Sequence, residues 1–123
     1  MPEDIRGILK TDEVVDITTV GRKSGDARRI EIRLHVLDGK LYITGRPGRA
    51  RSWYANMVAT PEFTLHLKQE LKRDVPSKAV PIIDDGARRR VFELMLAEEP
   101  SMAHVDVDEW TAVSPLVEVV PVG

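Results

Sequence analysis

The stretch from Arg29 to Val36 alternates almost strictly. Ile30, Ile32, Leu34 and Val36 fall on one face, and Arg29, Glu31, Arg33 and His35 on the other. Successive side chains of an extended chain point to opposite faces, so this rhythm specifies a strand with one face buried. On a helix the same four apolar residues would scatter around the circumference. Asp38-Gly39 then supplies the positive-φ pair that a two-residue turn requires, and Leu41 to Thr44 returns as the hairpin partner. A two-stranded hairpin is marginal in water, so further strands must complete its apolar face.

Candidates for those strands are Val14 to Val20, Phe63 to Lys68, roughly Leu71 to Ile82 (broken by Pro76 and Pro81) and Leu116 to Val120. Short loops make the pairing mostly antiparallel. Ser52 can cap a helix through Ala59, which Thr60-Pro61 ends, because a residue before proline avoids the helical region. Asp84, Asp85 and Gly86 precede a longer helix, Ala87 to Glu98, with Ala87, Val91, Leu94, Met95 and Glu98 on one side and Phe92 and Leu96 widening its stripe. Asp106 to Thr111 reads as one more turn, with Asp106, Asp108 and Glu109 capping it before Trp110. About six strands, one packed helix and 123 residues form a single domain spanning 1–123. A closed barrel is expected, because closure removes exposed strand edges.

Composition narrows the functional classes. Without cysteine there is no disulfide, iron–sulfur cluster or thiolate zinc site. No apolar run approaches the roughly 20 residues of a membrane helix. Met-Pro-Glu-Asp lacks the basic and apolar regions of a signal peptide, so a cytoplasmic location is expected. His35, His66 and His104 have no metal-ligand spacing, and no metal site is expected. Arg88-Arg89-Arg90 reads as a solvated helix face, with Arg89 paired to Glu93 at i+4.

The net charge of −2 hides a polarity. Residues 22 to 51 hold nine of the 18 cationic side chains (Arg22, Lys23, Arg28, Arg29, Arg33, Lys40, Arg46, Arg49 and Arg51) against three acids, so this quarter is +6 and the rest −8. A local basic field in an acidic chain points to a specific anionic partner. Two loops there are built for one. In Thr18-Thr19-Val20-Gly21-Arg22-Lys23-Ser24-Gly25-Asp26-Ala27-Arg28, Gly21 and Gly25 let backbone amides turn inward, Ser24 adds a donor, and Lys23 and Arg28 add charge. The order of residues is not that of a Walker motif. In Thr44-Gly45-Arg46-Pro47-Gly48-Arg49-Ala50-Arg51, glycine-permitted turns and three arginines lead into a helix N-terminus, which also favours negative charge, with Trp53 as a flat surface beside them. One of Trp53 and Tyr54 is expected to be buried for packing. Composition alone leaves a solvated hairpin loop and a surface basic stretch as the plainer readings of the two loops.

The run Thr-Thr-x-Gly-Arg-Lys-Ser-Gly-x-x-Arg at 18 to 28, the Asp-Gly-x-Leu-Tyr hairpin at 38 to 42, the second loop leading into Trp53-Tyr54-x-Asn56, and Thr60-Pro61 resemble the deazaflavin-dependent nitroreductase family. Order and spacing agree from about residue 15 to 70, and Ser114-Pro115-Leu116-Val117 is similar to the family's closing strand. The resemblance implies a mainly β fold, a six-stranded split β-barrel of the FMN-binding type with two or three peripheral helices. It implies reduced coenzyme F-420 in a groove of the barrel, its phosphate and polyglutamate tail met by basic loops. By motif, Arg22, Lys23, Ser24 and Arg28 would serve the phosphate and tail, Thr44, Gly45, Arg46, Pro47 and Gly48 would line the cofactor, and Trp53 would flank its ring or tail. The chain departs from the family in Glu31-Ile32, where Pro-Leu is frequent, and in the absence of tyrosine from Ser101 to Asp106.

The resulting expectation is an oxidoreductase that passes hydride from reduced coenzyme F-420 to a small nitro, quinone or enone acceptor. Hydride transfer needs no protein nucleophile, and no catalytic side chain is expected. Alternatives are an FMN-binding reductase of the same fold and a ligand-binding module without turnover. Nucleic-acid binding is disfavoured by six aromatics, a negative net charge and no known motif. The resemblance also implies a possible homodimer, to which the strand face bearing Glu31, Arg33 and His35 would contribute.

Overall fold

A computed structural model describes residues 4–47, 52–99 and 103–122. Six strands, β1 (Glu13–Val20), β2 (Ala27–Leu37), β3 (Lys40–Thr44), β4 (Glu62–Lys68), β5 (Lys72–Pro81) and β6 (Leu116–Pro121), close into an antiparallel barrel in the order β1-β2-β3-β6-β5-β4. Among the described residues four helices accompany them: α1 (Ile5–Ile8), α2 (Ser52–Ala59), α3 (Asp85–Glu98) and α4 (Val107–Val113). α1 carries no periodic apolar signal in so short a segment; Asp4 caps it and Ile5 anchors it in the core.

The hairpin forms as its turn chemistry requires, with Asp38 at φ 50° and Gly39 at φ 74° and Leu37 opposite Lys40. The parity of β2 holds, but its burial differs from a simple inside–outside alternation. Leu34 is buried in the barrel, whereas Ile30, on the same face, is 39% exposed. The N-terminal half of β2 runs past the packed interior, so its apolar face opens to solvent there. Conversely His35, expected on an open face, is buried: its Nδ1 lies 2.8 Å from Asp12, and the Glu99 carboxyl beyond α3 hydrogen-bonds to the same aspartate. His35 therefore offers no surface to a second subunit.

β5 passes unbroken through Pro76, which pairs opposite Thr64. Proline removes a donor but accepts the extended backbone, and the Pro76 carbonyl still receives the Val122 amide at 2.9 Å. One hydrophobic cluster fills the barrel, with Ile17, Leu34, Ile43, Met57, Leu65 and Val119 near its centre. A second lies between α3, α4 and the outer face of the β2–β3 hairpin, uniting Leu37, Tyr42, Phe92, Met95 and Trp110. Arg88, read as solvated, is buried at the head of the α3 stripe and donates to four carbonyls; Arg89 bonds Asp108 at 2.5 Å rather than Glu93. Asp106 caps α4 through the amides of Asp108 and Glu109.

Candidate functional site

The loop between β1 and β2 is a tight ring. The Gly21 amide donates to the Asp26 carbonyl and the Gly25 amide to the Gly21 carbonyl, both at 2.8 Å, and the Asp26 amide donates to Ser24 Oγ at 3.1 Å. Gly25 sits at φ +75°, and a Cβ on Gly21 would meet Ser24 Oγ at 2.8 Å and the Asp26 carbonyl at 3.2 Å. Glycine is needed at both places, at one for conformation and at the other for close approach. These bonds correct one expectation: the two glycine amides close the ring on itself. What the loop presents to a ligand is therefore chiefly the side chains of Arg22, Lys23, Ser24 and Arg28.

α2 packs beside this loop. Trp53 and Asn56 are one helical turn apart, and together with Met57 they form its buried face. The Asn56 Oδ1 accepts the Arg22 amide and its Nδ2 donates to Thr19 Oγ1, each at 3.1 Å. Trp53 is the buried aromatic; Tyr54 is half-buried and meets it edge to face at 5.9 Å.

Between loop and helix lies a cleft of about 560 Å³, walled by Thr19, Gly21, Arg22, Lys23, Ser24, Arg28, Ile30, Ser52, Trp53 and Asn56. Among the described residues it has three cations and no carboxylate, with Ile30 and the Trp53 ring as its apolar part. Five of the residues named from sequence thus converge: Arg22, Lys23, Ser24, Arg28 and Trp53. Thr44, Gly45, Arg46 and Pro47 do not wall it, and the Thr44 hydroxyl donates to the Pro115 carbonyl at 2.5 Å. Gly48, Arg49 and Arg51 lie outside the described residues.

Thr19, Ile30, Ser52 and Asn56 complete the site without having been singled out for it. For Asn56 a signal existed. Asparagine is a poor helix former, and one placed a turn from Trp53 on a buried face implies a hydrogen-bonding task.

A second cleft, about 610 Å³, is lined in part by Lys10, Asp12, Glu13, Arg33 and Glu70. Burial, and then the charge of Glu70, push the Glu13 carboxyl above its ordinary value. An anion there would face carboxylates, so volume alone does not select the site. Among the described residues no group of three metal-ligating side chains occurs. His66 joins Thr18 and Asp74, each at 2.7 Å, in the order of a nucleophile–base–acid chain. That chain walls neither cleft, and 76% of the Asp74 side chain is exposed.

The family model described as F420H(2)-dependent quinone reductase matches residues 4–119. Solved structures share the fold. A structure titled "F420 Reductase" aligns with TM-score 0.65 and 19% identity over 100% of this chain and 97% of its own. An F420-H2 dependent reductase aligns with TM-score 0.61 and 24% identity over 86% and 92%. A structure titled "domain-swapped dimer" gives 0.60 and 23% over 86% and 78%. None of the curated proteins matches this chain.

Proposed function

Because this chain belongs to the F420H(2)-dependent quinone reductase family, an oxidoreductase family that uses coenzyme F-420, we propose that the loop–helix cleft holds the cofactor and that a small quinone is reduced beside it. The observation that carries the assignment is the convergence of Arg22, Lys23, Ser24 and Arg28 with Trp53 around one cleft that no carboxylate of the described residues lines. A phosphate and polyglutamate tail is a chain of anions, and three cations at the lip meet it with charge-assisted hydrogen bonds. Trp53 and Ile30 supply the flat apolar surface against which a fused ring system packs. The residues present fit the group.

When bound, the reduced deazaflavin supplies the hydride. This chain's share is to bind and orient. The basic loop would hold the tail, Trp53 would pack against the ring system, and the apolar lining would exclude water beside it. A quinone that gains a hydride and one proton becomes a hydroquinone, and solvent at the open side of the cleft can deliver that proton. Nitroaromatic and enone acceptors are the wider class. The protein acts in this reading as a homodimer in the cytoplasm. Sedimentation of the dilute protein, with and without cofactor, reads the dimer; a single 13.8 kDa species in both would remove it.

The assignment is tested by fluorescence titration with coenzyme F-420 against FMN. Wild type should prefer the deazaflavin. Lys23→Ala and Arg28→Ala should each weaken binding about tenfold to a hundredfold at low salt, and added salt should weaken wild type as well. Unchanged affinity in both variants would refute the cleft as the cofactor site.

A further inference from the structure

We propose that Asn56 is a positioning residue that locks the anion loop to the helix carrying Trp53, so that the charged and flat parts of the cleft are held as one unit. The inference rests on the cofactor reading of this cleft and adds to it a residue that need not touch the cofactor's charge.

Asn56 is only 4% exposed, and a buried primary amide is costly unless its donor and acceptor are engaged. It engages both in one direction. Thr19, 2% exposed, is the last inward residue of β1, and Arg22 is the first basic residue of the loop. Asn56 thus grips the loop at its root and at its first cation, and Lys23 is the next residue along. The amide's orientation follows from chemistry. The Arg22 N–H can only donate, so Oδ1 must face it, which turns Nδ2 toward Thr19 Oγ1. The ring of hydrogen bonds inside the loop sets its shape but not its place on the barrel; the Asn56 pair ties it to α2. The same turn of α2 carries Trp53, so a shift of the loop and a shift of the aromatic wall are linked through one side chain.

Asparagine also differs from its isostere in a telling way. Aspartate would still accept the Arg22 amide, and the Thr19 hydroxyl could rotate to donate to it. It would, however, place a full negative charge in the wall of a cleft otherwise lined by cations. A neutral amide gives the same geometry without repelling an anion.

The test compares wild type with Asn56→Ala, Asn56→Asp, Thr19→Val and Lys23→Ala, alone and in the pairs Asn56→Ala/Thr19→Val and Asn56→Ala/Lys23→Ala. Affinity is read for coenzyme F-420 and, separately, for inorganic pyrophosphate, alongside hydrogen exchange of the Arg22 amide. Asn56→Ala should weaken both ligands about tenfold and expose the Arg22 amide to exchange. Thr19→Val should weaken them less, and adding it to Asn56→Ala should change nothing further, because the two residues act through one bond. In the Asn56→Ala background the Lys23→Ala effect should shrink to less than half, since a displaced loop no longer aims that charge. A merely structural asparagine would leave the Lys23 effect intact. Asn56→Asp should keep the Arg22 amide protected while losing affinity, and with Thr19→Val it carries the test if Asn56→Ala does not fold. Affinity within twofold of wild type in Asn56→Ala, or simple additivity with Lys23→Ala, overturns the proposal. Wild type that binds pyrophosphate but not coenzyme F-420 would instead refute the cofactor reading, while the pyrophosphate arm still decides the role of Asn56.

Discussion

Arg88 is the residue whose removal should harm the fold most for a single charged side chain. It is 8% exposed and, among the described residues, its hydrogen bonds go to carbonyls rather than carboxylates. Its guanidinium donates from Nε to Thr111 O at 2.7 Å, from Nη1 to Ile82 O at 2.9 Å, and from Nη2 to Trp110 O at 3.1 Å and Ser114 O at 2.5 Å. Three of those carbonyls belong to the C-terminal end of α4 and its cap, where a helix presents unsatisfied acceptors and partial negative charge. The Phe92 ring lies under the guanidinium, 5.7 Å from its centroid. One cation therefore joins α3, α4 and the end of β5. Arg88→Met keeps most of the stem and removes every donor. Each buried carbonyl left without a partner costs about 1–3 kcal/mol. Trp110 O keeps the Ser114 amide at 3.0 Å, so Thr111 O, Ile82 O and Ser114 O are the acceptors at risk; if water reaches one of them, the other two cost about 2–6 kcal/mol, a large share of the roughly 5–15 kcal/mol that holds a domain of this size together. At about 4 °C per kcal/mol that lowers Tm by roughly 8–24 °C. Urea unfolding followed by Trp110 fluorescence measures it directly, since Trp110 packs edge to face on Phe92 at 5.8 Å. Arg88→Lys, with one compact donor group in place of the fork, should fall between. A loss below 1 kcal/mol for Arg88→Met would show that the carbonyls rehydrate freely and refute the reasoning.

Three further outcomes follow from the structure. Gly21→Ala must push its Cβ off Ser24 Oγ and the Asp26 carbonyl; it should cut cofactor affinity about tenfold while leaving the chemical unfolding midpoint near wild type, as titration beside urea unfolding will show. For Asp12, burial raises the carboxyl, but hydrogen bonds from His35, the Val36 amide and Glu99 outweigh it and hold the folded value below 3.8. Its stabilising contribution is thus complete above 3.8 and lost as pH falls through the depressed folded value. Asp12→Asn should be less stable at neutral pH, and its stability should decline less steeply below 3.8 than that of wild type in acid titrations. Substituting Tyr54 or His104 should lower quinone turnover only modestly, because no protein group is required to hold the hydride; a variant that binds cofactor normally yet loses nearly all turnover would point to dedicated acid–base catalysis.

Period-two patterning was enough to locate all six strands within a residue or two, since a face that must leave water leaves its mark every second position. Asp38-Gly39 placed the hairpin turn because positive φ is a local demand that few residues meet. The same locality made Gly21, Lys23, Ser24 and Arg28 readable as one loop, and Trp53-x-x-Asn56 readable as one helical face. Burial is not a local property. Alternation assigns His35 and Leu37 to the outer side of β2, and only the packing of α3 against that side makes them interior. The same alternation assigns Ile30 inward, and only the end of the barrel leaves it open in the cleft wall. Arg88 sits at the first position of a buried stripe with Val91, Phe92 and Met95, yet nothing in a triple-arginine run says which arginine will find the carbonyls at the end of α4, 22 to 26 positions away in the chain. That pairing, like the grip of Asn56 on Thr19 and Arg22 across 37 and 34 positions, exists only once the barrel has closed and brought the elements together.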